Sequence, residues 1–305
     1  MANLTRQRAG EILHEVLEVL KETADDGLEV RKVISELEHR MELTEFELAT
    51  YPKRPDVRRF PKMVRFTTIN AVKAGWLVKE DGIWSITEAG ATALESFSDP
   101  EELMREAVRL YNAWRRDQSD ASDLTTATED SPHPKLTEDE PGARVTLEEA
   151  QETAFTEIRE HLQAMDPYDF QDLVAALLRG MSYHVVWVAP RGRDGGLDIL
   201  AQSDPLGTEG PRVKGQVKRR KDKANADEMR AFMSLLGPHD VGVFISLGGF
   251  TSEAESIARS QETRRVTTIG LSSLLQLWIE HQEKVDESDR QLLPLTPVHY
   301  LSPSD

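Results

Sequence analysis

Residues 117–149, DQSDASDLTTATEDSPHPKLTEDEPGARVTLEE, carry ten acids against two bases, with Ser, Thr and Pro between them. Such a stretch cannot bury enough apolar surface to offset the entropy lost on ordering it. It reads as an acidic flexible linker and divides the 305-residue chain into two globular parts, 1–116 and 150–305. Two domains also suit the length.

The formal net charge of −17 argues against a nucleic-acid partner only on average, because the bases are clustered. Between positions 51 and 75 stand Lys53, Arg54, Arg58, Arg59, Lys62, Arg65 and Lys73 against Asp56 alone. Between 212 and 223 stand Arg212, Lys214, Lys218, Arg219, Arg220, Lys221 and Lys223 against Asp222 alone. The chain has no cysteine, which excludes disulfides, thiol nucleophiles and Cys-ligated zinc and makes the cytoplasm the default location. Residues 1–20 lack the unbroken apolar core of a signal peptide, and no apolar run approaches the roughly 20 residues of a membrane span, so no membrane association is expected.

In the N-terminal part, Ile12, Leu13, Val16, Leu17, Val19 and Leu20 form one helical stripe, and Val30, Val33, Ile34 and Leu37 a second. Pro61 suits the first position of a third helix, with Phe66, Ile69 and Val72 facing inward and Lys62, Arg65 and Lys73 on the other face. WLVKEDGIWSIT then gives two β-rich runs around Asp81-Gly82, a hairpin signal, and Thr87 opens a last helix. This is the order of a winged helix-turn-helix, whose third helix enters the major groove while the hairpin lies along the backbone. Arg58, Arg59, Lys62, Arg65 and Lys73 are therefore candidate contacts to duplex DNA, because the bases concentrate on the segment that would dock. The alternative is a protein-interaction module with a solvated basic face.

In the C-terminal part, Phe170, Leu173, Val174, Leu177 and Leu178 line a helix ending at Gly180. Three strands follow (HVVWV, LDILAQ, VKGQVKR), then helix, strand VGVFIS, helix, strand VTTI and helix. The order α-β-β-β-α-β-α-β-α predicts an α+β or α/β fold, a mixed sheet with helices packed on it. Strand alternation puts Lys214, Gln216 and Lys218 on one face, while Asp198 starts a partner strand that the turn-rich SDPLGTEGP makes antiparallel. A carboxylate, an amide oxygen and an ammonium converge there, which suits phosphodiester hydrolysis. Asp198 and Gln216 would give oxygen ligands to a hard cation such as Mg²⁺, with Mn²⁺ as a substitute. Lys218 would position water or stabilise developing charge, and Arg219, Arg220 and Lys221 would grip the phosphate backbone. The same residues also fit an aspartate-capped turn and a solvated, lysine-rich edge strand.

Five ordered pieces of residues 169–277 resemble the catalytic domain of Mrr-type restriction endonucleases, a branch of the PD-(D/E)XK nuclease superfamily. They are FQDLVAALLRGMSY, GRDGGLDI with DPLG after it, QVKRR, VGVFISLGGFTSEA and IGLSSLLQLW. NAVKAGWLVKEDGIWSITEAG likewise resembles the winged helix that precedes such domains. The resemblance implies a restriction-endonuclease-like fold and gives Asp198, Gln216 and Lys218 the metal-binding and catalytic roles, with Gln in the place where relatives outside this branch carry a second acid. It also marks a departure: Gln171 stands where the family often has Glu, which makes Gln171, its neighbour Asp172 and the turn residue Asp194 the further candidates for the metal site. The implied activity is Mg²⁺-dependent DNA cleavage that restricts foreign or modified DNA, by a homodimer or larger homo-oligomer, since one site cuts one strand. No Gly-x-x-x-x-Gly-Lys-Ser/Thr loop gives this chain an ATP site. The rival readings are a non-cleaving DNA-binding regulator on a nuclease fold and a nuclease directed at RNA.

Overall fold

A computed structural model of the chain describes residues 4–23, 27–119, 143–192, 196–260 and 264–300. The chain packs as two units, Met1–Thr156 and Glu157–His299.

In the first unit, α1 (Arg6–Glu22) starts behind Thr5, whose side chain accepts the Arg8 N–H, and buries Ile12, Leu13, Val16 and Leu17 completely. The strand β1 (Leu28–Glu29) leads into α2 (Val30–Arg40). A segment that the sequence pattern does not announce comes next: α3 (Glu45–Leu48) and the ribbon β2 (Thr50–Tyr51) and β3 (Arg54–Arg58). Then follow α4 (Arg59–Lys73), the hairpin β4 (Leu77–Glu80) and β5 (Ile83–Ile86), α5 (Glu88–Ser96) and α6 (Pro100–Ser119). The strands β1, β5 and β4 form an antiparallel sheet in that order. Asp81 and Gly82 turn the hairpin with φ of 59° and 72°, the left-handed pair that a two-residue turn of this kind requires.

Two expectations change here. The inward stripe of α4 is Phe60, Met63, Val64, Thr67 and Ala71, at helical spacing, whereas Phe66, Ile69 and Val72 are half-buried. The helix begins at Arg59, directly after β3, and is rotated relative to the Pro61 start. The segment 117–149 is also helical at both ends: α6 reaches Ser119 and α7 (Ala143–Ala164) begins well before position 150. Carboxylates of α7 find bases on α4 and β4, so the boundary between units falls inside α7. Positions 120–142 lie outside the described residues.

The second unit continues with α8 (Pro167–Gly180), β6 (His184–Val188), β7 (Ile199–Gln202), β8 (Arg212–Lys218), α9 (Ala226–Ser234), β9 (Asp240–Ser246), α10 (Ser252–Ser260), β10 (Val266–Ile269), α11 (Leu271–His281) and α12 (Glu287–Arg290). The five-stranded sheet has the order β10-β9-β8-β7-β6, antiparallel across β6, β7 and β8 and parallel across β8, β9 and β10. This is the expected mixed sheet, and α9 and α10 are the crossovers that its parallel pairs require. Phe232 on α9, Phe244 on β9 and Phe250 pack ring against ring beneath it, with centroids 5.2 and 5.3 Å apart.

The strand β8 is the middle strand, not an edge. Its first bases serve the fold: Arg212 Nε and Lys214 Nζ each lie 2.9 Å from the buried Asp240 carboxylate. Among the described residues, no helix is long and apolar enough to cross a membrane.

Candidate active site

The site is built where the β7–β8 ladder ends. The Asp198 N–H donates to Gly215 O at 2.9 Å, and Asp198 O accepts from Ala189 N at 2.8 Å, so its backbone is held from both sides. The last paired register is Ile199 with Gly215. The N–H of Val217, beyond that register, donates instead to Asp198 Oδ2 at 2.8 Å. From the helix side, Gln171 Nε2 donates to Asp198 Oδ1 at 2.7 Å. Both side chains are buried, at 7% exposure for Gln171 and 6% for Asp198.

Gln216, next along β8, donates its Nε2 to Gly196 O at 3.0 Å. Each of these two amides thus spends its NH₂ on an oxygen, which fixes its orientation and leaves its carbonyl oxygen over. Gln171 Oε1 and Gln216 Oε1 are buried and have no hydrogen-bond partner. Orphaned buried oxygens cost free energy unless something satisfies them. Two such oxygens and a carboxylate are a donor set for a hard divalent cation. The residues present fit a metal ion. Among the described residues, no group of three or more His, Cys, Asp or Glu could hold a metal.

Lys218 closes the site along the strand. Its ammonium pairs with Glu228 on α9, which also receives Arg220. Glu228 is itself fixed by a capping box: its N–H donates to Asn225 Oδ1, and its Oε2 accepts the Asn225 N–H, both at 3.0 Å. Burial works to raise the Glu228 pKa, but the hydrogen bonds from Lys218, the Asn225 N–H and Arg220 outweigh it and hold the carboxyl below its ordinary range. Glu228 is the residue that the sequence analysis missed. The Asn225-x-x-Glu228 cap was the available signal, and it says nothing of Lys218.

The other candidates fall in different places. Asp172, one position past Gln171 on α8, is exposed, with Arg179, Asp169 and Asp289 as its charged neighbours. Asp194 lies outside the described residues. Arg219 turns back to the carbonyl of Gln163, while Arg220 and Lys221 are exposed.

In the first unit, Arg58 is exposed and pairs with Glu38 at 2.6 Å. Arg59 is buried, with its Nε on Thr50 O at 3.1 Å and its guanidinium 4.1 Å from the Phe46 ring centroid. Lys73 lies 4.0 Å over the Trp114 ring. Lys62 and Arg65 are buried against α7, Lys62 on Glu149 and Arg65 Nε on Glu152 Oε2 at 2.8 Å. Lys79 on β4 pairs with Glu148, and Trp84 Nε1 donates to Glu152 Oε1 at 2.9 Å. Burial lowers the Lys79 pKa and raises that of Glu152, in each case against the pull of the opposite charges.

A buried carboxylate, two oriented amides and a paired lysine stand at the end of the central strand of a chain whose family matches are to restriction endonucleases. Residues 162–278 match the Mrr catalytic family, described as restriction endonuclease, and residues 10–96 match the Mrr N-terminal domain. The chain thus carries an Mrr-type restriction endonuclease catalytic domain and an Mrr N-terminal domain. It is 29% identical over 213 residues to the type IV methyl-directed restriction enzyme EcoKMrr of Escherichia coli strain K12, covering 66% of this chain and 68% of that relative. Among solved structures, MspJI restriction endonuclease in complex with a 27-mer oligonucleotide aligns at a TM-score of 0.32 and 14% identity. That alignment takes in 69% of this chain but only 47% of the other, a likeness too loose to add to the fold.

Proposed function

We propose that this chain is a Mg²⁺-dependent, cytoplasmic DNA endonuclease that restricts foreign or modified DNA. The observation that carries this reading is the pair of orphaned amide oxygens, on Gln171 and Gln216, beside the buried carboxylate of Asp198. These three residues would hold the cation. A bound divalent cation supplies positive charge that polarises a phosphoryl oxygen and acidifies water. Lys218, steadied by Glu228, orients the attacking water or stabilises the charge that develops on phosphorus-bound oxygen. Arg220 and Lys221, exposed beyond the end of β8, meet the neighbouring phosphates. The first unit reads the duplex through the third helix and hairpin of a winged helix. Two copies cut the two strands.

The deciding assay is incubation of the full chain with methylated and unmethylated plasmid, in Mg²⁺ and in EDTA. Cutting in Mg²⁺ alone, with preference for the methylated plasmid, is expected. DNA retention without cutting in any metal would favour the non-cleaving regulator, and equal cutting in EDTA would remove the metal from the account.

A further inference from the structure

We propose that the first half of α7 is an internal cover for the DNA-reading face. Its carboxylates hold the cations of α4 and the hairpin in place of backbone phosphates, and the face takes duplex DNA only when that half-helix leaves. This rests on the reading that α4 and the hairpin meet DNA.

Four ion pairs and one indole bond define the contact. Lys62 pairs with Glu149; Arg65 meets Glu152 at 2.8 Å and Glu149 at 3.6 Å; Lys79 pairs with Glu148; and the Trp84 indole donates to Glu152 at 2.9 Å. The partners sit on α4, β4 and β5, so α7 lies along the groove between the third helix and the hairpin, where a winged helix would take a duplex backbone. The side chains of Lys62 and Arg65 are 1% and 5% exposed, so neither can reach a phosphate with α7 in place.

The contact is chiefly ionic, although Val145 in this half of α7 is also buried. Among the described residues, the clustered apolar core of the first unit draws on α1, α2, α4, the hairpin strands, α5 and α6, and has no member from α7. That core therefore stays intact if α7 lifts. Desolvation brings buried ion pairs close to break-even, so a polyanion offering equivalent charge can compete for the same cations. A cleft of about 350 Å³ remains at the seam, lined by Ile34, Arg58, Pro61, Arg65, Glu149 and Thr153, and gives solvent a way to the pairs.

The test compares binding of a labelled duplex in EDTA by the full chain, by the triple variant Glu148→Gln, Glu149→Gln, Glu152→Gln, and by a control, Glu45→Gln, Glu88→Gln, Glu95→Gln. The control loses the same charge from exposed positions. The triple variant is expected to bind at least about tenfold tighter than the control, with a salt slope steeper by about 2 to 3 as three cations meet phosphates. Adding Lys62→Gln and Arg65→Gln should erase that gain. Hydrogen exchange in the unaltered chain needs no variant to fold: amides of 143–156 should exchange faster once the duplex is added.

If Lys62→Gln, Arg65→Gln weakens the unaltered chain while the triple variant equals the control and exchange at 143–156 is unchanged, the face binds DNA with α7 in place and the cover is overturned. If Lys62→Gln, Arg65→Gln has no effect in either background, the DNA-reading assignment of this face fails, and the cover with it.

Discussion

Asp198→Asn is expected to fold and to lose DNA cutting by a factor on the order of 10³ or more, because it removes the carboxylate around which the site is built. Asparagine is the informative change. Asp198 accepts from Gln171 Nε2 and from the Val217 N–H in a buried place, so alanine would strand two donors at about 1–3 kcal/mol each. Asparagine keeps an oxygen for Val217, and the Gln171 amide can turn to meet the new NH₂. Initial rates on plasmid and a thermal melt check both halves of the expectation. A variant that cuts within about tenfold of the wild type would move the centre elsewhere.

Lys218→Ala is expected to lower the cutting rate by about 10²- to 10³-fold while leaving duplex affinity in EDTA within about threefold, since it deletes a group that acts in the transition state. Glu228→Gln keeps the capping box of α9, which accepts Gln as readily as Glu. It should therefore isolate the charge that steadies Lys218, with a fall of about tenfold or more in rate and little change in affinity. Single-turnover rates and binding isotherms separate these effects. A fully active Glu228→Gln beside an inactive Lys218→Ala would reduce the Lys218–Glu228 pair to a resting contact.

Much of the second unit was legible because its signals are local. Period-2 alternation in VKGQVKR and the turn-rich return from LDILAQ predict the antiparallel β7–β8 pair that the structure has, and the glycines and prolines mark where strands end. What could not be read is carried by partners far apart in the chain. Gln171 reaches Asp198 across 27 positions, which no pattern on α8 reveals. Glu228 shows a helix cap in sequence, but its hold on Lys218 exists only because α9 crosses the end of β8.

The first unit makes the same point more sharply. Glu148 and Glu149 look like linker acids because their countercharges, Lys79 and Lys62, lie 69 and 87 positions away. The α4 helix carries apolar side chains on two faces, so periodicity alone could not say whether Phe60, Met63 and Val64 or Phe66, Ile69 and Val72 turn inward. The turn of the helix is set by β3, which the residue pattern does not announce.

The proposed metal site consists of one carboxylate and two amide oxygens, completed by DNA. It is tested most directly by calorimetric titration of Mg²⁺ into the Lys218→Ala chain, with and without duplex DNA, beside the same chain carrying Asp198→Asn. Mg²⁺ sheds water reluctantly and is commonly held by one or two carboxylates plus substrate phosphates. Binding should therefore be weak without DNA and at least about tenfold tighter with it, and linkage requires Mg²⁺ to tighten DNA binding by the same factor. Asp198→Asn should abolish both. Tight Mg²⁺ binding without DNA that survives Asp198→Asn would contradict the account.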